Sequence, residues 1–146
     1  MSVKLNTLSA RVTMFVSAIA LVVVTTALGQ TSSGGNRTVR DGVYSEEQAK
    51  RGNTLYDMKC DSCHDGSTMG PQLKNDAFLA DWENKNVRAL YSRILSTMPE
   101  SDPGSLSEHE VLDILAYLLQ ANGFPPGGKA LERASELDTV NFVPRK

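Results

Sequence analysis

The chain of 146 residues holds two cysteines, and they sit three apart with a histidine directly after the second: Cys60-Asp61-Ser62-Cys63-His64. Two cysteines exclude a multi-disulfide scaffold. Random placement of this chain's own cysteines and histidines would give that arrangement in roughly 2 of 10,000 cases. A redox CxxC would want a βαβ setting, and the sequence has no clear β-alternation. A zinc site is poorly supplied, because the remaining soft ligand, His109, is distant.

The CxxCH pattern reads as the attachment signature for a c-type haem. Each residue type has a task there. Two thiols at this spacing each add across one vinyl group of a porphyrin and form two thioethers. The adjacent histidine then offers an imidazole nitrogen to the iron. Cys60 and Cys63 are therefore the expected covalent anchors, and His64 the first axial ligand.

A second axial ligand has to come from the other face of the ring. Beyond residue 29 the chain offers His109, Met58, Met69 and Met98. Met58 lies on the helix feeding the motif. Met69 follows His64 by five residues, too few to wrap the ring comfortably. Met98 follows by 34, stands at a helix end before Pro99, and is the expected ligand. It also continues the apolar stripe of its helix, as a plain core methionine would. His109, between Glu108 and Glu110, reads as exposed. The other ring nitrogen of His64 needs an acceptor to fix its tautomer. Pro71, after Gly70, can present a carbonyl there, although Gly-Pro is also an ordinary turn.

Residues 1–29 read as a secretory signal peptide. Lys4 and Arg11 precede a mostly apolar run over residues 12–28, which ends in Ala27-Leu28-Gly29. The alternative is an uncleaved anchor, but 17 residues diluted by Thr13, Ser17, Thr25 and Thr26 are at the short limit for a span. Stable membrane insertion is expected only if the leader is retained. Beyond it, thirteen basic and seventeen acidic residues leave a net charge of −4. That argues against nucleic-acid binding.

Residues 30–43 are polar and Gly/Ser-rich and read as a flexible lead-in, with Arg37 and Arg40 solvated. Ser45 and Gln48 suggest a capping box for a helix over 46–58. Residues 60–76 read as loop, followed by a short helix from about 77. Asn86 looks like an N-cap for a helix over 87–97 with Val87, Leu90, Tyr91 and Ile94 on one side. Ser107 with Glu110 is a second capping box, opening a helix over 108–121 that Asn122-Gly123 closes. Residues 124–146 form a tail whose spaced Leu131, Leu137, Val140 and Phe142 suggest packing along the domain or on a partner. The class is all-α, a small helical domain over 44–123 wrapped around one covalently bound haem.

The motifs over about 44–123 resemble the class I cytochrome c family. Gly70-Pro71 is similar to its proximal-loop proline, whose carbonyl accepts the histidine hydrogen bond, and Met98-Pro99 to its axial methionine. Gly52 and Tyr56, with Ile114 and Tyr117, are similar to the residues at which its first and last helices cross. The tail resembles cytochromes that accompany bacterial quinoprotein dehydrogenases. The acidic balance fits poorly with the lysine-ringed mitochondrial variant. The resemblance implies a periplasmic, non-enzymatic one-electron carrier with His/Met-ligated iron. It would pass electrons from a dehydrogenase or other donor to an oxidase or other acceptor; the net charge of −4, with two haem propionates, favours a basic patch on such a partner. Two alternatives stand beside it. One is an electron-inlet haem subunit of a larger dehydrogenase complex. The other is a gas- or peroxide-binding haem protein, if the methionine ligand is labile.

Overall fold

Four helices begin where short polar side chains cap free backbone N–H groups. In the computed structural model, which describes residues 35–66 and 69–144, α1 spans Glu46–Lys59, and the Ser45 side chain accepts from the Gln48 N–H at 3.2 Å. A single helical turn, α2, follows at Asp61–His64. Asn75 caps α3, Asp76–Trp82, and Asn86 caps α4, Val87–Thr97. Ser107 and Glu110 exchange a reciprocal capping box at the start of α5, Glu108–Ala121. The expected leader over residues 1–29 lies outside the described residues. Among those described, no helix is long and apolar enough to cross a membrane.

The first and last long helices cross at Gly52. A Cβ at Gly52 would stand 1.8 Å from the Asp113 carbonyl oxygen and 3.0 Å from the Tyr117 Cβ. Only a residue without a side chain permits that approach. Just beyond it the Tyr56 and Tyr117 rings lie 5.1 Å apart at 53°. Arg51 grips Asp113 through two hydrogen bonds of 2.8 and 2.9 Å, and that pairing holds its guanidinium above the ordinary value. Val111, Leu112, Ile114, Leu115, Leu118 and Leu119 bury the inner face of α5. A Schellman-type turn ends it, in which Phe124 N–H donates to Leu119 O at 3.0 Å and Gly123 N–H to Gln120 O at 2.9 Å.

Three expectations need correction. The lead-in is not a free polar segment over its described part. Arg37–Thr38 forms β1, which pairs in parallel with β2, Val140–Asn141, in the register Arg37 to Val140 and Thr38 to Asn141. Val39 and Val43 are buried. Arg40 is not merely solvated either, since it donates to the Pro144 carbonyl and stands over the Phe124 ring at 5.9 Å. Finally, only half of the first capping box forms. The buried Gln48 amide turns to the tail instead. It donates to Leu131 O at 2.9 Å and accepts from Leu131 N–H at 2.8 Å. A buried amide left unpaired would cost more than a cap contributes.

The tail lies on the helical body. After a 3-10 turn at Ala134–Leu137 it runs into β2. Leu131, Leu137, Val140 and Phe142 are all buried in the same core as α4 and α5. Tyr44 ties the two ends together. Its hydroxyl donates to Phe124 O at 2.6 Å and its carbonyl accepts from Gly127 N–H at 2.6 Å. Burial first, and Glu46 second, push the Tyr44 hydroxyl up to about 12.

Candidate functional site

The CxxCH segment, read from sequence as loop, is a helical turn. Cys60 closes α1 by donating its N–H to Tyr56 O at 2.8 Å. Its own carbonyl then accepts from Cys63 N–H at 3.1 Å and His64 N–H at 3.0 Å. This turn places both cysteines on one short element with His64 at its end. Both thiols are half-buried and free, with no disulfide between them. Burial pushes the Cys60 thiol up to about 11; Lys59 opposes the shift and Asp61 and Cys63 add to it.

His64 Nδ1 lies 2.7 Å from Pro71 O. A carbonyl oxygen can only accept, so Nδ1 carries the proton, and in the neutral ring Nε2 keeps its lone pair. Gly70 makes this geometry possible. A Cβ there would stand 3.1 Å from Cys63 O and from the Cε1 and Nδ1 atoms of His64. The proximal loop is held from its other side by Lys74. Its ammonium stands 4.5 Å from the Tyr56 ring centroid and 3.4 Å from Asp61 Oδ1. Tyr56 in turn donates its hydroxyl to His64 O at 3.4 Å.

His64 and Met98 both line one cavity of about 720 Å³. This falls within the roughly 300–1,000 Å³ usual for small-molecule and cofactor sites. Met98 enters it from the C-terminus of α4, where its N–H donates to Ile94 O at 3.0 Å. It is half-buried and also packs on the core. Leu73, Phe78, Leu90, Ile94 and Leu118 supply apolar walls. Cys60 and Cys63 are not among the lining residues; Cys60 lies one turn before His64 and Cys63 directly before it. Met58 and Met69 are 66% and 68% exposed and also outside the lining. His109 is exposed in the first turn of α5.

The donor set suits a covalently held haem. Two unpaired thiols precede an imidazole with its lone pair free, and that imidazole shares an apolar cavity with a thioether sulfur. Among the described residues no cluster of three or more His, Cys, Asp or Glu side chains converges. The zinc alternative therefore has no donor set there.

Sequence reasoning missed part of the wall. Trp82, Lys85 and Arg93 also line the cavity. For Arg93 a signal existed, because it follows Leu90 by three and so lies beside the Leu90–Ile94 stripe. For Trp82 too a signal existed, because it follows Phe78 by four on α3; Lys85 carries none, since the turn after α3 places it.

Comparison with known proteins gives a consistent picture. Residues 47–118 match the family model described as cytochrome c oxidase, cbb3-type, subunit III. The chain is similar to a cytochrome bc1 complex cytochrome c subunit of Corynebacterium diphtheriae, 29% identical over 92 residues, which cover 61% of the chain and 32% of that protein. It is similar also to the protein of the same description from Corynebacterium efficiens, 28% identical over 95 residues, covering 62% and 32%. The chain thus spans about a third of the length of the curated relatives it matches. No solved structure matches it.

Proposed function

We propose, from the match of residues 47–118 to a cytochrome c family model and the similarity to cytochrome c subunits, that the chain is a c-type cytochrome carrying electrons on a covalent haem c, a periplasmic one-electron carrier with both axial positions of the iron filled by its own side chains. Cys60 and Cys63 would hold the group through thioethers. His64 would supply Nε2 and Met98 its sulfur. Bound there, the haem supplies a reversible one-electron couple.

The chain's residues do the tuning. The hydrogen bond from His64 Nδ1 to Pro71 O, at 2.7 Å, is the observation that carries this reading. It fixes the tautomer that leaves Nε2 free and raises the basicity of the ring. Methionine opposite histidine raises the reduction potential relative to stronger donors. Apolar walls at Leu90, Ile94 and Leu118 disfavour the more charged ferric state. With His64 and Met98 both given to the iron, no position would be left on it for a substrate.

The acidic balance favours a partner with a basic face, so electron transfer to such a partner slows as ionic strength rises. The leader pattern supports a location outside the cytoplasm. A second reading is favoured by the relatives: a haem domain acting as a fixed electron relay within a respiratory complex. The relatives found are described as bc1 complex subunits rather than partners of a quinoprotein dehydrogenase.

The test is a potentiometric titration of the full chain, expressed with haem-attachment machinery, with carbon monoxide added to the ferrous form. A carrier gives one reversible one-electron wave and a ferrous spectrum indifferent to carbon monoxide. A ready shift with carbon monoxide overturns the reading in favour of a gas- or peroxide-binding protein.

A further inference from the structure

Two segments of this chain lie outside the matched stretch 47–118: residues 37–43 and the tail from 124. They pair with each other through β1 and β2, and the tail then closes on one place, the turn between α3 and α4. Asn84 N–H donates to Phe142 O at 3.2 Å and Phe142 N–H donates to Lys85 O at 2.9 Å. Asn86 Nδ2 adds a bond of 3.0 Å to Asp138 O, and Arg88 meets Asp138 at 3.4 Å. The Phe142 ring, 2% exposed, lies 6.1 Å from the Trp82 ring. Trp82 in turn lies 6.3 Å from Phe78.

Trp82, Phe78 and Lys85 all line the cavity. The terminal segments therefore grip, from behind, the wall that faces the cofactor. A tail needed only to cover apolar surface could end at Leu131 and Leu137, which the core already buries. The added backbone clasp on residues 84 and 85 fixes the position of a turn. We infer that Phe142 is a positioning residue for the cofactor, and that the paired terminal segments hold the Trp82–Lys85 wall against the haem. The inference rests on the cavity taking the haem. Without the Phe142 ring, Trp82 loses one of its two aromatic contacts and the two bonds to the turn loosen. Water then reaches the ring more easily, which favours the ferric state and lowers the potential.

Trp82 is the single tryptophan of the chain, so its fluorescence reads this wall alone. Haem quenches a nearby indole, and the quenching relaxes as the two separate. The experiment compares full-length, haem-loaded wild type with Phe142→Ala, Phe142→Leu and, as a control at a buried tail site away from the wall, Leu131→Ala. Wild type is strongly quenched. Phe142→Ala raises Trp82 emission several-fold and lowers the reduction potential, and Phe142→Leu does both to a smaller extent. Leu131→Ala lowers the unfolding midpoint and moves neither. Unchanged emission and potential in the Phe142 variants overturn the inference, as does an equal shift in Leu131→Ala. If Phe142→Ala does not fold, Phe142→Leu decides alone. A wild type that carries no covalent haem overturns the functional reading itself, a result distinct from either.

Discussion

Gly70 shows how little room a single position leaves. Its Cα stands where a Cβ would meet the His64 ring and the Cys63 carbonyl at 3.1 Å. A ring fixed by a 2.7 Å bond to Pro71 O has few ways to give. Gly70→Ala should therefore cost about 1–3 kcal/mol, the range of overpacking in a close-packed site. It should also lengthen the Pro71 bond and so move the reduction potential. Chemical denaturation and potentiometry of the loaded variant read the two effects. Pro71 itself contributes a backbone oxygen, so Pro71→Ala, which keeps that oxygen, should perturb the site less than Gly70→Ala. That His64 and Met98 would meet at one cavity was legible in the sequence, because CxxCH is local and Met98 stands beside a proline at a helix end. The place of Lys85 was not, because it lies in the turn after α3, whose backbone bonds to Phe142, more than fifty residues on.

At the scale of elements, Gly52 decides whether α1 and α5 can cross. Alanine there would gain up to about 1 kcal/mol of helix propensity. Its Cβ would, however, lie 1.8 Å from the Asp113 carbonyl, a backbone atom that cannot swing aside. The clash wins, and Gly52→Ala should lower stability by roughly 2–3 kcal/mol in denaturant unfolding. The start of α5 carries a pH signature. The Ser107 backbone N–H first, then Lys59 and the Ser107 hydroxyl, hold the Glu110 carboxyl below its ordinary 4.5. A carboxyl lowered on folding adds stability above its unfolded value and loses it as pH falls through the folded one. Wild type should therefore lose this increment below about pH 4.5, and Glu110→Gln should flatten that limb of the stability profile. The helices were readable because Ser45, Asn86 and Ser107 act within three residues. Gln48 misled for the same reason: its amide serves Leu131, 83 positions on, and no local rule sees that bond. The β1–β2 pair escaped too, since two-residue strands carry no alternation to read.

The described residues form a helical body on which the short segments β1 and β2 pair. Residues once legible only as a polar lead-in and a spotted tail join at β1 and β2 and brace the cavity wall. The matched family stretch, 47–118, contains the anchors, the proximal loop and Met98, and the chain's own terminal segments complete the enclosure. The central claim is that His64 and Met98 close both faces of the iron. Its most direct test is the near-infrared spectrum of the ferric full chain beside that of Met98→Ala. A methionine–iron charge-transfer band in wild type, lost in Met98→Ala together with gain of carbon monoxide binding in the ferrous variant, is the predicted result. A wild type without that band, or a Met98→Ala that keeps it, would contradict the account.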